Sequence, residues 1–244
     1  MKRAQLLLAA AALLATAGFA ATLEDGFAGS TLGPTWAWAN EDHCTAYVHN
    51  ALVLNPQTGY RQAAIGTVRA DYSWVAAGAP MSYEFTVGAW NIVTNSHVSA
   101  RLFLVGNEAG PQPAAFSDYD KPHVLMGKLD RWQGTFYWNL FVKTRSPQAN
   151  ADADSTKLAW LEVGEAVEGC TFGVTLKAST ARLWWTARDG KPKAADPVTV
   201  PSALFSDGAT VYFGVKNDTG EPFGDDDVVR ISRVRIGPET PAGR

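Results

Sequence analysis

The chain has 244 residues, with 21 Lys or Arg against 24 Asp or Glu and a formal charge of -3. Apart from the short series Arg230, Arg233 and Arg235 there is no basic cluster, which speaks against a nucleic-acid partner. With 46% hydrophobic residues and no Pro-, Ser- or Gly-rich linker, the expectation is one domain that buries its own core.

Residues 1–20 begin with Lys2 and Arg3, continue from Leu6 as an apolar run broken only by Thr16, and end in Gly18-Phe19-Ala20. This is the pattern of a secretory signal peptide cleaved after Ala20. The run is short for a membrane span of ~20 residues and is soon followed by Glu24 and Asp25. No second long apolar run follows, and residues 238–244 carry no lipidation motif. The mature chain, 21–244, is therefore expected to be secreted or periplasmic, with no membrane span. Its only cysteines are Cys44 and Cys170. In an oxidising compartment they are expected to form a disulfide, the alternative being two separate thiols.

From Leu23 onward short strands alternate with turns, and helical periodicity is absent. Trp36 and Trp38 alternate with Ala37 and Ala39, residues 47–54 carry Asn50 at a turn, and Ile65 to Val68 follow a turn at Gly59. In 81–90, Tyr83, Phe85 and Val87 alternate with Ser82, Glu84 and Thr86. In 98–105, Val98, Ala100, Leu102 and Leu104 face the core and Arg101 faces away, and these two runs read as neighbours in one sheet. Residues 106–123 form a long loop rich in Gly and Pro. Strands resume at 124–128 and at 135–143, where Phe136, Trp138, Leu140 and Val142 face inward and Tyr137 and Asn139 outward.

A polar loop at 144–156 precedes strands at 157–163, 171–177 and 182–188. In the last of these Leu183 and Trp185 face inward and Trp184 outward, and Asp189-Gly190 marks a turn. The stretch 210–237 reads as a closing hairpin around an acidic, glycine-rich loop. Val211, Phe213 and Val215 face the core opposite Tyr212 and Lys216. In the second limb, Val229 and Ile231 share one parity and Val234 and Ile236 the other, so a bulge near Ser232 and Arg233 is required to keep all four buried. About a dozen short strands with regular turns define an all-β chain folded as an antiparallel β-sandwich of two sheets.

Leu23-Glu24-Asp25-Gly26-Phe27 followed by Trp36, the middle run Met81-Ser82-Tyr83-Glu84-Phe85, and Val211-Tyr212-Phe213-Gly214 with 228–236 together resemble the concanavalin A-like lectin/glucanase superfamily. The likeness extends over nearly the whole mature chain. It implies a jelly roll of two antiparallel sheets, one of them curved, whose concave face can bind glycans. It also implies a structural calcium tying the first strand to the last, with Glu24, Gly26 and Asp227 at the matching positions.

Catalytic chemistry on this fold has its own motifs. The laminarinase-like hydrolases carry E-x-D-x-x-E on one strand, and this chain has no such run. Glu162, Glu165 and Glu168 are the nearest acidic series, but a spacing of three turns successive carboxylates to opposite strand faces. Val211-Tyr212-Phe213-Gly214-Val215-Lys216-Asn217 loosely resembles the alginate-lyase segment carrying a catalytic Tyr, without the companion Arg-x-Glu-Leu and Gln-Ile-His motifs. The four histidines are scattered, and Asn150, Asp152 and Asp154 mimic a calcium loop that lacks its Gly and its closing Glu.

The reading is an exported polysaccharide-binding protein whose ligand-binding residues are Arg101, Tyr137, Asn139, Trp184, Tyr212 and Lys216, all on outward parities. One alternative is a glycoside hydrolase or polysaccharide lyase acting in the same cleft, and another is a structural or adhesive surface module.

Overall fold

The computed structural model describes residues 22–57, 59–92, 97–106, 123–144 and 155–239. Strands are numbered in chain order. One sheet has nine: β1 (Leu23–Asp25), β3 (Thr45–Val48), β4 (Leu52–Asn55), β6 (Met81–Trp90), β11 (Thr171–Lys177), β12 (Thr180–Thr186), β13 (Pro192–Ala194), β14 (Val198–Thr199) and β16 (Val229–Pro238). Its main path runs β13-β12-β11-β6-β16-β4-β3, with β1 on β16 and β14 on β12. The other has seven: β2 (Trp36–Trp38), β5 (Gln62–Thr67), β7 (Val98–Gly106), β8 (Val124–Trp132), β9 (Thr135–Lys143), β10 (Thr156–Gly164) and β15 (Ala209–Asn217). They lie in the order β10-β9-β8-β7-β15-β5-β2. The strands pair antiparallel throughout, and the described residues contain one α-helix, α1 (Trp74–Ala77), a single turn capped by Ser73, and a 3-10 turn at Ser202–Phe205.

The alternation that predicts the strands also builds the core. Phe85 and Phe172 of the nine-stranded sheet meet Trp138 and Phe213 of the seven-stranded sheet, with ring centroids 5.6–6.2 Å apart across the sandwich. Such offset and edge-on pairs add to the area term of aromatic burial. The Trp138 indole fits because Gly127 leaves room beneath it, and its Nε1 donates to the carbonyl of Gly173 at 3.2 Å. The bulge expected in the last strand is present: the β16–β6 register shifts between Ile231 and Arg233, which keeps Val229, Ile231, Val234 and Ile236 all buried.

Several expectations are corrected. The stretch 210–237 is not a hairpin, because β15 pairs with β5 and β7 while β16 lies in the other sheet, so the intervening loop crosses the sandwich. For the same reason β6 and β7 are not neighbours. Trp90 is buried against Phe136 rather than outward, whereas Trp38, expected in the core, is 38% exposed at the sheet edge.

Cys44 and Cys170 are thiols, not a disulfide. Cys44 directly precedes β3 and Cys170 directly precedes β11, and β4, β16 and β6 lie between those two strands. At ~4.8 Å per step that is about 19 Å, well beyond the roughly 7 Å limit for a disulfide.

Two outcomes follow from this packing. Gly127→Ala would set a methyl 2.3 Å from the Trp138 ring, and overpacking of this kind costs about 1–3 kcal/mol. A melt of the variant should therefore fall by several degrees, and an unchanged melt would contradict the packing. Thiol titration of the denatured, unreduced chain should find two reactive thiols, and finding none would contradict the strand order.

Candidate functional site

In the seven-stranded sheet the inward set of every strand is committed to the core, so the chemistry that remains lies on the outer face. The register sorts that face into cross-strand rows. One row, Phe141, Met126, Phe103 and Tyr212, runs from β9 to β15 and ends over Gly66 of β5. It belongs to a second, smaller apolar cluster with Val105 and Val124, so this part of the face is closed. The next row is Trp160, Asn139, Lys128, Arg101 and Gly214, and the one after it is Glu162, Tyr137, Asp130, Ser99 and Lys216. Beyond these, Trp132 ends β8, and His97, just before β7, packs against it in a tilted pair with ring centroids 4.8 Å apart. A bulge at Leu158 shifts the β10 register, which is why Lys157 and Trp160, three apart, both face outward.

Polar side chains in the two central rows are tied together by charge. Arg101, 1% exposed, donates from Nη2 to Oδ1 of Asp218 at 2.5 Å and from Nε to Ser99 Oγ at 2.7 Å, and Ser99 donates in turn to Asp218 Oδ2 at 2.7 Å. Lys128 Nζ reaches Asp218 at 3.5 Å and Asp130 at 3.6 Å, while Asn139 donates to Asp130 Oδ1 at 3.2 Å. Burial acts to raise the Asp218 pKa, but Arg101 and Lys128, together with the Ser99 hydrogen bond, outweigh it and hold the carboxyl down at about 2. For Asp130 burial prevails over Lys128 and Lys157, with Asp218 adding to it, and its pKa is raised. One ammonium thus holds two carboxylates whose proton affinities are driven apart.

Beside this network an open cleft of about 390 Å³ is lined by His97, Asp130, Arg131, Trp132, Tyr137, Asn139, Lys157 and Trp160. Trp132 is 52% and Trp160 56% exposed, in a chain whose other large indoles are mostly buried. Tyr137 lies between them, its ring 6.1 Å from that of Trp160. The volume, the aromatic walls and a few convergent amide and charged groups are the composition of a small-ligand site.

Of the residues expected to bind ligand, five lie on this one face: Arg101, Tyr137, Asn139, Tyr212 and Lys216. Only Tyr137 and Asn139 line the cleft. Arg101 and Lys216 are almost fully buried, and Tyr212 is packed in the smaller apolar cluster. Trp184 is outward as expected but belongs to β12 of the other sheet, where it lies over Gly173 and donates to Thr175 Oγ1 at 3.0 Å. Trp132, Trp160, Asp130 and Lys157 were not singled out from the sequence. Trp132 falls beyond the expected end of its strand at Lys128, and Trp160 depends on the bulge.

The residues matched to calcium do not converge. Glu24 sits opposite Arg235 and pairs with Arg233 at 3.5 Å, and Gly26 lies beside Ser232. Asp227 lies at the opposite end of β16, where its Oδ2 accepts from the amide of Gly224 at 2.9 Å. Eight residues of extended chain separate the levels of Asp227 and Arg235, about 26 Å, so no single cation touches both ends. Among the described residues no group of three or more His, Cys, Asp or Glu is placed to hold a metal. The loop with Asn150, Asp152 and Asp154 lies outside the described residues. Glu162, Glu165 and Glu168 are exposed on and just after β10.

No protein-family model matches the sequence, and no curated protein matches it. Solved structures do. The exoplasmic/lumenal domain of VIP36 in its Ca2+/Man2-bound form superposes with a TM-score of 0.58 at 14% identity, covering 90% of each chain. The carbohydrate recognition domain of Emp46p gives 0.58 at 10% identity over 84% of this chain and 89% of its own. Lectin II from Ulex europaeus gives 0.56 at 10% identity over 89% and 97%. The fold is therefore that of the concanavalin A-like lectins, as the sequence resemblance implies.

The charge network makes an acid-range prediction. A folded-state pKa of about 2 against an ordinary 3.8 means that ionised Asp218 stabilises the fold above 3.8, and that this contribution fades as pH falls toward 2. It amounts to about 2 kcal/mol. Asp130 has the opposite sign, since a raised pKa favours the folded state as protons are taken up. Asp218→Asn should lose stability near neutral pH, by about 3–5 kcal/mol, because buried Arg101 is left without its carboxylate. It should also lose less further stability in the acid range than the parent. Denaturant unfolding across that range checks both, and parallel acid profiles would contradict the assignment.

Proposed function

We propose that the chain is an exported carbohydrate-binding protein whose site is the cleft between Trp132 and Trp160 on the outer face of the seven-stranded sheet. The observation that carries this reading is the pair of half-exposed indoles flanking Tyr137, Asn139 and Asp130. Leaving an indole in water forgoes a large burial gain, and a sugar ring recovers it by laying its apolar C–H face on the aromatic plane. The hydroxyls around the ring edge then need donors and acceptors, which Asn139, Asp130, Tyr137 and Lys157 supply.

Solved structures of the same fold that bind mannose oligosaccharides or galactose support a sugar as the occupant. The signal-peptide pattern of residues 1–20 supports export. Binding is favoured over turnover because Asp130, the one carboxylate among the described residues that line the cleft, is already engaged. Asp130 is held by Lys128 and Asn139, and Asp218 lies under Arg101 outside the cleft lining.

The mature chain on a glycan array should bind a polysaccharide or oligosaccharide. Trp132→Ala and Trp160→Ala should each weaken that binding about tenfold or more, with the melt unchanged because both rings are exposed. Trp184→Ala, on the opposite sheet, should leave binding intact. An array without any bound glycan, or binding indifferent to both cleft tryptophans, would sink the proposal.

A further inference from the structure

Resting on that reading, we infer that the cleft takes a run of three consecutive sugar units, laid diagonally across β10, β9 and β8, rather than a single sugar. Trp160 lies on β10 opposite Asn139, Tyr137 lies on β9 opposite Asp130, and Trp132 ends β8. From each of these aromatic residues to the next is one strand across and two residues along, so all three keep the outward parity and share the face. Diagonal neighbours of this kind lie about 7–8 Å apart, within reach of aromatic side chains. The Tyr137 and Trp160 rings accordingly come to 6.1 Å, and the bulge at Leu158 completes the line by turning Trp160 outward.

Polar groups repeat with the same step. Asn139 stands beside Trp160 in its row, Asp130 beside Tyr137, and His97 beside Trp132, where the two rings are 4.8 Å apart. In each pair the polar residue is one strand further from the edge strand β10, and all six side chains line the cleft. A sugar needs an apolar platform for its C–H face and hydrogen-bonding groups at its edge. That combination occurs three times along the diagonal.

Length fits the same count. Two strand spacings across and four residues along separate the backbone positions of Trp160 and Trp132 by about 17 Å. A pyranose ring with its linking oxygens measures roughly 5 Å, between three and four single-bond lengths, so one sugar does not meet both indoles. Three linked units do, one for each aromatic ring. Trp132 and Trp160, at the two ends of the line, are each more than half exposed, whereas a pocket for one sugar needs only one such platform. The planes of Tyr137 and Trp160 are inclined by 54°. Linked sugars turn about their glycosidic bonds and can follow such a change of plane, while a single flat ring system cannot lie on both.

The test is calorimetric titration of the mature chain with a size series, monosaccharide to hexasaccharide, prepared by partial hydrolysis of the glycan that the array shows it to bind. Affinity should rise about tenfold or more from the monosaccharide to the trisaccharide and then level off. A trisaccharide offers a one-sugar site at most three places, so a rise of that size exceeds the statistical gain of about threefold. Trp132→Ala and Trp160→Ala, each with its melt as control, should both flatten the rise. A monosaccharide bound within about threefold of the trisaccharide, an affinity that keeps climbing to the hexasaccharide, or a rise that survives either substitution would overturn the three-unit site while leaving a stacking platform standing. Failure of both substitutions to affect any member of the series would instead remove the cleft itself, and with it the reading on which the three-unit site rests.

Discussion

Strand alternation under core burial is the constraint from which the rest of the molecule follows. Each central strand of the seven-stranded sheet gives every second side chain to the aromatic core shared by Phe85, Trp138, Phe172 and Phe213. The remaining side chains have no choice but the outer face, and antiparallel register then lines them up into rows. The candidate site is thus a by-product of core formation: Asn139 can meet Asp130 and Lys128 only because Trp138, Leu129 and Gly127 are fixed on the other side.

Within that face, the Arg101–Asp218–Ser99 linkage divides the polar region from the apolar cluster around Phe103 and Tyr212. A buried guanidinium is tolerated only with its carboxylate in place, and this one is joined by Lys128 to the carboxylate that lines the cleft. The network fixes the floor of the cleft, while the exposed indoles at its sides are left to meet a ligand.

The two-sheet architecture is legible in the sequence because period-2 alternation is a strong signal wherever one face is buried. Five of the six expected ligand residues share one outer face for the same reason. Alternation says that a side chain leaves the core, but not through which sheet, and that ambiguity misplaced Trp184 on the ligand face. It also made β15 and β16 look like a hairpin, since contiguity in the chain imitates adjacency in space. Trp160 was hidden by a bulge of one residue at Leu158, which inverts parity partway along a strand. Arg101 and Lys216 show a further limit: outward is not the same as exposed, and neighbouring rows bury them. The cysteines and the Glu24, Gly26 and Asp227 set failed on separation, which only strand order reveals.

The central claim is that a glycan occupies the outer face of the seven-stranded sheet at its β8–β10 side. Indole N–H signals in a heteronuclear spectrum of the mature chain, followed while the bound glycan is added, test it most directly. The account predicts that the Trp132 and Trp160 signals move together and saturate with the binding curve, while those of Trp184 and Trp185 stay in place. Shifts centred on Trp184, with Trp132 and Trp160 unmoved, would contradict it.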